Sequence, residues 1–347
     1  MILFRNRYAP VSVAWEFTLT CNMNCMHCGS SAGDSRENEL TTKEALALCD
    51  EFQKLDTKVV NLTGGEPILR KDWFEVGKKI RDLGMDLSLL SNGLALNEKI
   101  VKQLRNLDVY AMAISLDGGT PKTHDSIRGI EGSFDKCMSS LELLKNEGIP
   151  ATVITTVHKG NIKELTLIRD KLVNTAKAWQ LQIAAPIGRF PRNLILSKEE
   201  YYSLALFIAA TRRKYSVKEL AVMGAHSIGY NSKILRNTMV LPVWKGCQAG
   251  ITVCAIQSNG GVKGCMSLPD DYIEGNVKEK SLYDIWNSPD FASYSRNFKK
   301  EDLNESCKDC KYGKKCKGGC TTMSIAITGK THCDPYCLHL IEKEMFK

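Results

Sequence analysis

Three cysteines near the beginning of the sequence have a spacing that suits iron. They lie in the segment Cys21-Asn-Met-Asn-Cys25-Met-His-Cys28. Three thiolates on one loop can ligate three irons of a four-iron, four-sulfur (4Fe-4S) cluster, and the fourth iron then has no protein ligand. A structural site is normally closed by a full set of ligands, so such an iron would be open to a substrate or cofactor. On spacing alone, a zinc site completed by His27 remains an alternative.

The remaining cysteines are concentrated in the tail of the chain. The sequence has 14 cysteines, and residues 1–10 carry no signal-peptide pattern, so metal ligation is favoured over disulfides. No apolar run approaches about 18 residues, and we therefore expect a cytoplasmic protein without a membrane partner. The tail reads Cys247-x12-Gly260-x4-Cys265, then Cys307-x2-Cys310-x5-Cys316-x3-Cys320, then Cys333 and Cys337.

Further residues with ligand chemistry follow segments that are rich in β-forming residues. Paired glycines allow the backbone to approach a ligand, and a carboxylate accepts hydrogen bonds from an ammonium group. The guanidinium of Arg128 has the fork geometry that suits a carboxylate. The segments are Thr63-Gly64-Gly65-Glu66-Pro67, Ser91-Asn92-Gly93 and Ser115-Leu116-Asp117-Gly118.

The elements that position these residues alternate between strand and helix. Alternation of this kind predicts a parallel sheet, open or closed into a partial barrel, with its chemistry at the carboxyl ends of the strands. We predict strands over 11–17, 59–63, 87–91, 110–115, 151–157 and 179–185. Helical spacing predicts helices over 42–55, 72–83, 97–107, 134–147 and 162–175. We expect a barrel domain at 1–190, a helical linker at 191–243 and a cysteine-rich domain at 244–347.

Taken in order, these motifs resemble those of the radical S-adenosylmethionine (SAM) enzyme superfamily over residues 11 to 190. The resemblance implies an α/β fold, a partial (β/α)6 TIM barrel, in which Cys21, Cys25 and Cys28 hold a SAM-binding 4Fe-4S cluster. In that family an electron from the cluster cleaves SAM, and the 5′-deoxyadenosyl radical takes a hydrogen atom from the substrate. The residues that the resemblance places around SAM are His27, Gly64, Gly65, Glu66, Pro67, Ser91, Asn92, Ser115, Asp117 and Arg128.

The resemblance also implies individual roles for some of these residues. Glu66 would accept from the methionyl ammonium, Arg128 would pair with the carboxylate of SAM, and His27 would lie against the adenine. Ser91 and Asn92 would contact the ribose. Arg189 follows the sixth predicted strand, and two interpretations of it stay open: it contacts SAM or substrate, or it pairs with a carboxylate on a helix.

The tail resembles the SPASM extension of radical SAM enzymes, since all of its fixed intervals fit that pattern. This resemblance implies two auxiliary 4Fe-4S clusters, which makes three clusters in all. The first would be ligated by Cys247, Cys254, Cys265 and Cys320. The second would be ligated by Cys307, Cys310, Cys316 and Cys337, with Cys337 chosen over Cys333.

The basic composition has an explanation that needs no polyanion. The chain has 47 basic and 39 acidic residues, a formal net charge of +8, which by itself raises the question of nucleic acid. If eleven cysteine thiolates ligate three clusters, each with a core charge of about +2, the net charge of the protein with its clusters is about +3. We therefore expect no nucleic-acid partner.

The resemblance implies a radical SAM oxidoreductase, and most SPASM enzymes modify peptides or proteins. Our leading hypothesis is oxidative maturation of a ribosomally made peptide or protein. The short segment before the first strand predicts a separate leader-recognition protein, and we expect a flavodoxin or ferredoxin as electron donor. One alternative is oxidation or decarboxylation of a small molecule, such as a tetrapyrrole side chain or an aminocyclitol. Another is a non-catalytic, zinc-stabilised binding module. No catalytic acid or base is assigned.

Overall fold

The computed structural model describes residues 8–225, 228–229, 231–235 and 244–345. The strands in these ranges are β1 Ser12–Thr18, β2 Val59–Gly64, β3 Asp86–Ser91, β4 Ala111–Ser115, β5 Ala151–Val157, β6 Ala178–Ile183, β7 Ala221–Gly224, β8 Val253–Ile256, β9 Gly261–Lys263 and β10 Gly275–Asn276. The helices are α1 Thr42–Lys54, α2 Trp73–Asp82, α3 Glu98–Asn106, α4 Pro121–Arg128, α5 Ser133–Asn146, α6 Leu165–Leu172, α7 Lys198–Lys214, α8 Leu282–Trp286, α9 Ser293–Arg296, α10 Gly313–Cys316, α11 Thr321–Thr328 and α12 Leu338–Met345.

All of these strands belong to one sheet, with the order β10-β9-β8-β1-β2-β3-β4-β5-β6-β7 among the described residues. The strands from β8 and β1 through to β7 are paired in parallel. The short strands β9 and β10 extend the sheet beyond β8 in antiparallel fashion. Parallel neighbours need crossover connections, and helices such as α1, α2 and α3 supply them. The sheet is therefore the parallel array that the sequence predicts.

The two faces of β1 have different roles. Val13, Trp15 and Phe17 are fully buried, whereas the alternate residues Ala14 and Glu16 line a cavity on the other face. The Trp15 ring meets Phe17 and Phe52 edge to face, with ring centroids 5.2 and 5.5 Å apart. Because successive side chains of a strand point to opposite faces, β1 separates the aromatic core under the helices from the cavity.

The six strands and five helices predicted from the sequence are all present, with small differences at their ends. The segment predicted as a helical linker, 191–243, contains α7 but also β7, which pairs with β6 and extends the sheet. A strand of four residues is too short to give a clear alternation, which explains why it was not predicted. The tail contributes β8, which pairs with β1.

The division of the chain at residues 190 and 243 stays a prediction. Residues 236–243, the end of the expected linker, lie outside the described residues. Among the helices of the described ranges, none has the length and apolar character needed to cross a membrane.

Candidate functional site

The loop that carries the first three cysteines is held by hydrogen bonds to its carbonyl oxygens from Arg189, which follows β6. Arg189 donates from its backbone N to Cys28 O at 3.0 Å, from Nε to Cys25 O at 3.0 Å, and from Nη1 to Ala32 O at 2.7 Å. Gly188 precedes it with a φ of 57°, and a Cβ there would lie 2.3 Å from Cys28 O. Arg189 therefore contacts the loop itself and not a helix carboxylate.

The three thiols of this loop interact electrostatically. Burial raises the pKa of Cys21, and the negative charges of Glu66, Cys25 and Cys28 raise it further. Burial also raises the pKa of Cys25, whereas the Arg128 guanidinium, with Nη1 3.6 Å from Cys25 Sγ, lowers it. The backbone N of Ala32 donates to Cys28 Sγ at 3.3 Å. Neighbouring thiolates repel one another, so the loop suits a positively charged metal core.

A buried ion pair lies next to these thiols. The Asp117 carboxylate, which is fully buried, pairs with Arg128 Nη2 and lies 3.3 Å from His27 Nε2. Burial by itself would raise the pKa of Asp117, but the Arg128 and His27 charges bring it down to about 2. Burial lowers the pKa of His27 to about 4, so its ring is neutral near pH 7. The pair fixes Arg128 at the cysteine loop.

The glycine segment after β2 packs against the same loop. Gly64 has a φ of 122°, and a Cβ on Gly65 would lie 2.1 Å from Thr20 O, so the backbones touch at this point. Glu66 is fully buried; its Oε2 accepts from the backbone N of Asn92 at 2.8 Å. Its Oε1 has no hydrogen-bond partner among the described residues. Burial raises the pKa of Glu66 to about 7.

The remaining predicted SAM contacts lie around this carboxylate. Asn92 Nδ2 donates to Asn22 Oδ1 at 2.7 Å and lies 3.8 Å from Cys21 Sγ. Ser91 Oγ accepts from the backbone N of Gly93, and Ser115 lines the cavity with Ser91 and Asn92. Pro67 begins a 3-10 turn directly after Glu66, in which Pro67 and Ile68 are buried. Glu66 does not itself line the cavity, but Gly65 and Asn92 do, so a buried carboxylate oxygen without a hydrogen bond lies directly behind this wall, an arrangement that fits an ammonium group.

One cavity of about 900 Å³ joins this region to the tail. Its wall includes Cys21, Cys25 and Cys28, the inward residues of the parallel strands, and Cys265 and Cys320 from the tail. Its size lies in the range of small-molecule and cofactor sites.

The tail cysteines form two electrostatically linked groups. Burial raises the pKa of Cys265, and the neighbouring Cys247 thiolate raises it further. Burial also raises the pKa of Cys320, as do Cys247 and Cys265. The second group contains Cys307, Cys310 and Cys316, and both Cys333 and Cys337 are electrostatically linked to it. Burial, Cys316 and Cys310 raise the pKa of Cys307 to about 12, and Cys337 senses Cys316 in the same way. Cys333 Sγ lies 3.0 Å from Thr328 Oγ1.

Cys254 is not brought to the first of these groups. It lies in β8 with Val13 of β1 as its register partner, and both residues are fully buried. Paired residues of neighbouring strands face the same side of a sheet, so the Cys254 side chain lies on the face with Val13 and not on the cavity face. The groups that affect the pKa of its thiol after burial are Arg296, the backbone of Ala255 and Glu274.

Asp334 joins the two tail groups, and the spacing of cysteines does not reveal it. Its Oδ2 accepts from the backbone N of Cys320 at 3.1 Å, and its Oδ1 accepts from the backbone N of Tyr336 at 2.9 Å. Burial raises the pKa of Asp334 to about 7. Lys263 and Arg36, which line the cavity, were likewise not predicted, since nothing in their spacing marks them.

All 14 cysteines lie in the described ranges, and none forms a disulfide. In the same part of the chain, no group of three or more histidine, cysteine, aspartate or glutamate side chains is arranged to hold a single metal ion.

The chain is similar to several known proteins. The profile of the Radical SAM superfamily matches residues 15–170, and that of SPASM, an iron-sulfur cluster-binding domain, matches residues 247–311. The sequence is 30% identical to an AdoMet-dependent heme synthase of Methanosarcina barkeri, over 95% of this chain and 97% of that protein. It is 28% identical to the mycofactocin maturase MftC of Mycobacterium ulcerans, over 90% of this chain and 83% of that protein. SuiB of Streptococcus suis has a similar fold, with a TM-score of 0.78 and 17% identity over 95% of this chain and 77% of that one.

The contact of Gly188 with the cysteine loop predicts a specific defect. We expect Gly188→Ala to reduce the iron retained after anaerobic reconstitution and to lower stability by more than the about 1–2 kcal/mol that a left-handed alanine costs. The added Cβ would displace the Cys28 carbonyl. Iron and sulfide assays with denaturant unfolding measure both effects.

Gly84→Ala is the matched control, because Gly84 has a φ of 79° and open space around its Cβ position. This variant should lose stability only by the amount that a left-handed alanine costs, and its iron content should stay normal. Equal iron retention in both variants would contradict the role given to Gly188.

Proposed function

Because the chain belongs to the radical SAM superfamily and carries a SPASM iron-sulfur domain, we propose that it oxidatively decarboxylates side chains of an iron tetrapyrrole. The observation that carries the proposal is the 30% identity to a heme synthase over nearly the full length of both chains. Loss of a hydrogen atom, carbon dioxide and one electron converts a propionate side chain to a vinyl group. This substrate is the alternative that the sequence left open, and we prefer it to a peptide.

The chain is an enzyme, so the non-catalytic zinc-stabilised module is not retained. Its family implies 4Fe-4S clusters and SAM as cofactors. When bound, the reduced cluster and SAM supply the 5′-deoxyadenosyl radical that takes the hydrogen atom. In our proposal Cys21, Cys25 and Cys28 hold the cluster that binds SAM. The two tail groups hold auxiliary clusters, which makes three in total.

Each polar group near the loop has a task in this proposal. The free Oε1 of Glu66 accepts from the methionyl ammonium, and Gly64 and Gly65 allow the close backbone approach. Ser91 and Asn92 bind the ribose. Asp117 holds Arg128 in place for the methionyl carboxylate, and the neutral His27 ring lies against the adenine. The buried wall of the parallel strands keeps water away from the reacting atoms.

The cavity supports the reaction because one space is lined by both kinds of cysteine group. A hydrogen acceptor is needed on one side of the substrate and an electron acceptor must be within reach. Cys25 and Cys28 line the cavity from the loop, and Cys265 and Cys320 line it from the tail. A substrate in this cavity would therefore contact both.

Maturation of a peptide is the second candidate function. The similarity to the mycofactocin maturase supports it, at 28% identity over 83% of that protein. The SuiB likeness supports the fold alone. A separate leader-recognition protein and a flavodoxin or ferredoxin donor remain part of this proposal.

The test uses the reconstituted holoenzyme under anaerobic conditions, with dithionite and SAM. Iron coproporphyrin III is offered in one reaction, and peptides encoded beside the gene are offered in others. By mass spectrometry we expect the porphyrin to lose carbon dioxide and two hydrogens for each propionate converted, one hydrogen being the abstracted atom and the other the carboxyl proton. 5′-Deoxyadenosine should form at the same time. An unchanged porphyrin beside a modified peptide would replace the first function with the second.

The raised pKa of Glu66 predicts that SAM binding depends on pH. Burial raises this pKa to about 7, so the carboxyl is protonated below that pH and cannot balance the charge of an ammonium group. SAM affinity should be about half of its maximum near pH 7 and should fall by up to about tenfold per pH unit at lower pH. Equilibrium dialysis of SAM between pH 5.5 and 8.5 measures this effect.

Glu66→Gln cannot titrate, so it should bind SAM weakly with a flat pH profile. A Glu66→Gln variant that kept the pH dependence of the wild type would assign that dependence to another group.

A further inference from the structure

Two hydrogen-bond donors and one nearby guanidinium surround the carboxylate of Asp270, which lies at the wall of the cavity. Asp270 Oδ1 accepts from Gln257 Nε2 at 2.6 Å and from Lys263 Nζ at 3.2 Å. Its Oδ2 lies 3.9 Å from Arg36 Nη1. The donors and the acceptor differ in burial: Gln257 and Lys263 are 1% and 3% exposed, whereas the Asp270 side chain is 59% exposed. Gln257 and Lys263 are therefore part of the interior, the Arg36 side chain is 22% exposed, and the acceptor belongs to the surface.

The two cations are held in place without Asp270. Lys263 lies in β9, and its Nζ also donates to Leu268 O at 2.6 Å. Arg36 donates to Glu16 from Nε at 2.5 Å and from Nη2 at 3.2 Å. Glu16 is anchored in turn by the backbone N and hydroxyl of Ser258, at 3.2 and 3.1 Å. These contacts preorganise the two cations toward one point, where the Gln257 amide, through its contact with Asp270, adds a further donor.

Lys263 in particular needs an anion. An ammonium group removed from water is costly unless it is paired and hydrogen-bonded. In this structure its carboxylate partner comes from Asp270, which lies in a short, exposed 3-10 turn, Asp270–Tyr272. Any carboxylate that reached the same point would satisfy Lys263 equally well. A substrate that supplied this carboxylate would also place its apolar part in the cavity, whereas Asp270 places no apolar group there.

The position of this cluster relates it to the reaction. Arg36, Lys263 and Asp270 line the same cavity as Cys28 and Cys265. Lys263 is two residues from Cys265 in the sequence. A molecule anchored by one carboxylate at Lys263 would therefore lie between the cysteine loop and the tail group.

We propose that Gln257, Lys263 and Arg36 form a binding site for a carboxylate of the substrate, and that the Asp270 carboxylate, which holds this site here, yields it when the substrate binds. The inference rests on the proposed function and makes it more specific. The carboxylate bound here belongs to a propionate that is retained, because a charge-paired carboxylate is held against loss as carbon dioxide. By binding a retained propionate, the site determines which of the other propionates lie at the reacting position.

The test measures binding of iron coproporphyrin III to the anaerobic, reconstituted holoenzyme by absorbance titration, without SAM or reductant. Lys263→Gln should weaken binding about tenfold or more, since a charge-assisted hydrogen bond is lost. Lys263→Arg should recover part of that loss. Lys278→Gln is the matched control: its Nζ donates to Asn38 O at the surface, and binding should not change.

The direction in which Asp270→Asn changes porphyrin affinity separates this inference from a purely structural ion pair. Because the substrate must displace Asp270, removing its charge should tighten binding by about threefold. A purely structural ion pair predicts the opposite, with weaker binding and lower stability in both Lys263→Gln and Asp270→Asn. Weaker binding to Asp270→Asn would overturn the inference, and this variant alters an exposed side chain, so it remains informative if Lys263→Gln fails to fold.

A second ligand separates charge recognition from cavity filling. The tetramethyl ester of iron coproporphyrin III has the same body without carboxylates, so its affinity should be unaffected by Lys263→Gln. Equal sensitivity of acid and ester to that variant would contradict a carboxylate site. A wild-type enzyme that binds and modifies peptides but no porphyrin would refute the proposed function. Normal porphyrin binding by Lys263→Gln would refute this inference alone.

Discussion

The parallel pairing of β1 with β2 on one side and β8 on the other is the constraint on which the site depends. β8 comes from the tail, some 235 residues beyond β1 in the sequence, yet Ser12 and Val13 are in register with Val253 and Cys254. The cysteine loop leaves the carboxyl end of β1, and the chain after β8 leads through Lys263 to Cys265. One strand thus brings both cysteine regions to a single cavity.

Around that cavity charged side chains, most of them buried, are arranged in pairs. Asp117 with Arg128, Glu16 with Arg36, and Lys263 with Asp270 each place a cation beside an anion in the wall. Such pairs contribute little net stability, because desolvation offsets much of the attraction. Their effect is positional: each holds a polar group at a defined point. Glu66 is different, since one of its oxygens has no partner among the described residues. That difference marks where a cationic ligand group fits.

The cysteines illustrate how the same side chain acquires different environments. Cys25 lies beside a guanidinium in the loop, whereas Cys254 lies in a strand on the core face. Burial raises the pKa of both thiols, but only Cys25 has a charged donor within hydrogen-bonding distance of its sulfur among the contacts described above. A ligand pattern that counts cysteines treats the two alike. Their positions in the sheet separate them.

The sequence alone predicted the succession of strands and helices, the parallel sheet, the cysteine loop and the glycine segment after β2, because these depend on local periodicity and fixed spacing. The roles of Glu66 and Arg128 were predicted from the resemblance to the radical SAM superfamily. The tertiary structure decided what spacing cannot encode: that β7 and β8 extend the sheet, that Arg189 holds the loop, that Cys254 faces the core, and that Gln257, Lys263 and Arg36 meet one carboxylate. Arg189 with the cysteine loop, β8 with β1, and Arg36 with Asp270 join residues far apart in the chain, and only strand register and long-range packing bring them together. Gln257 and Lys263 are 13 and 7 residues from Asp270, and the β8–β9 hairpin brings them to it.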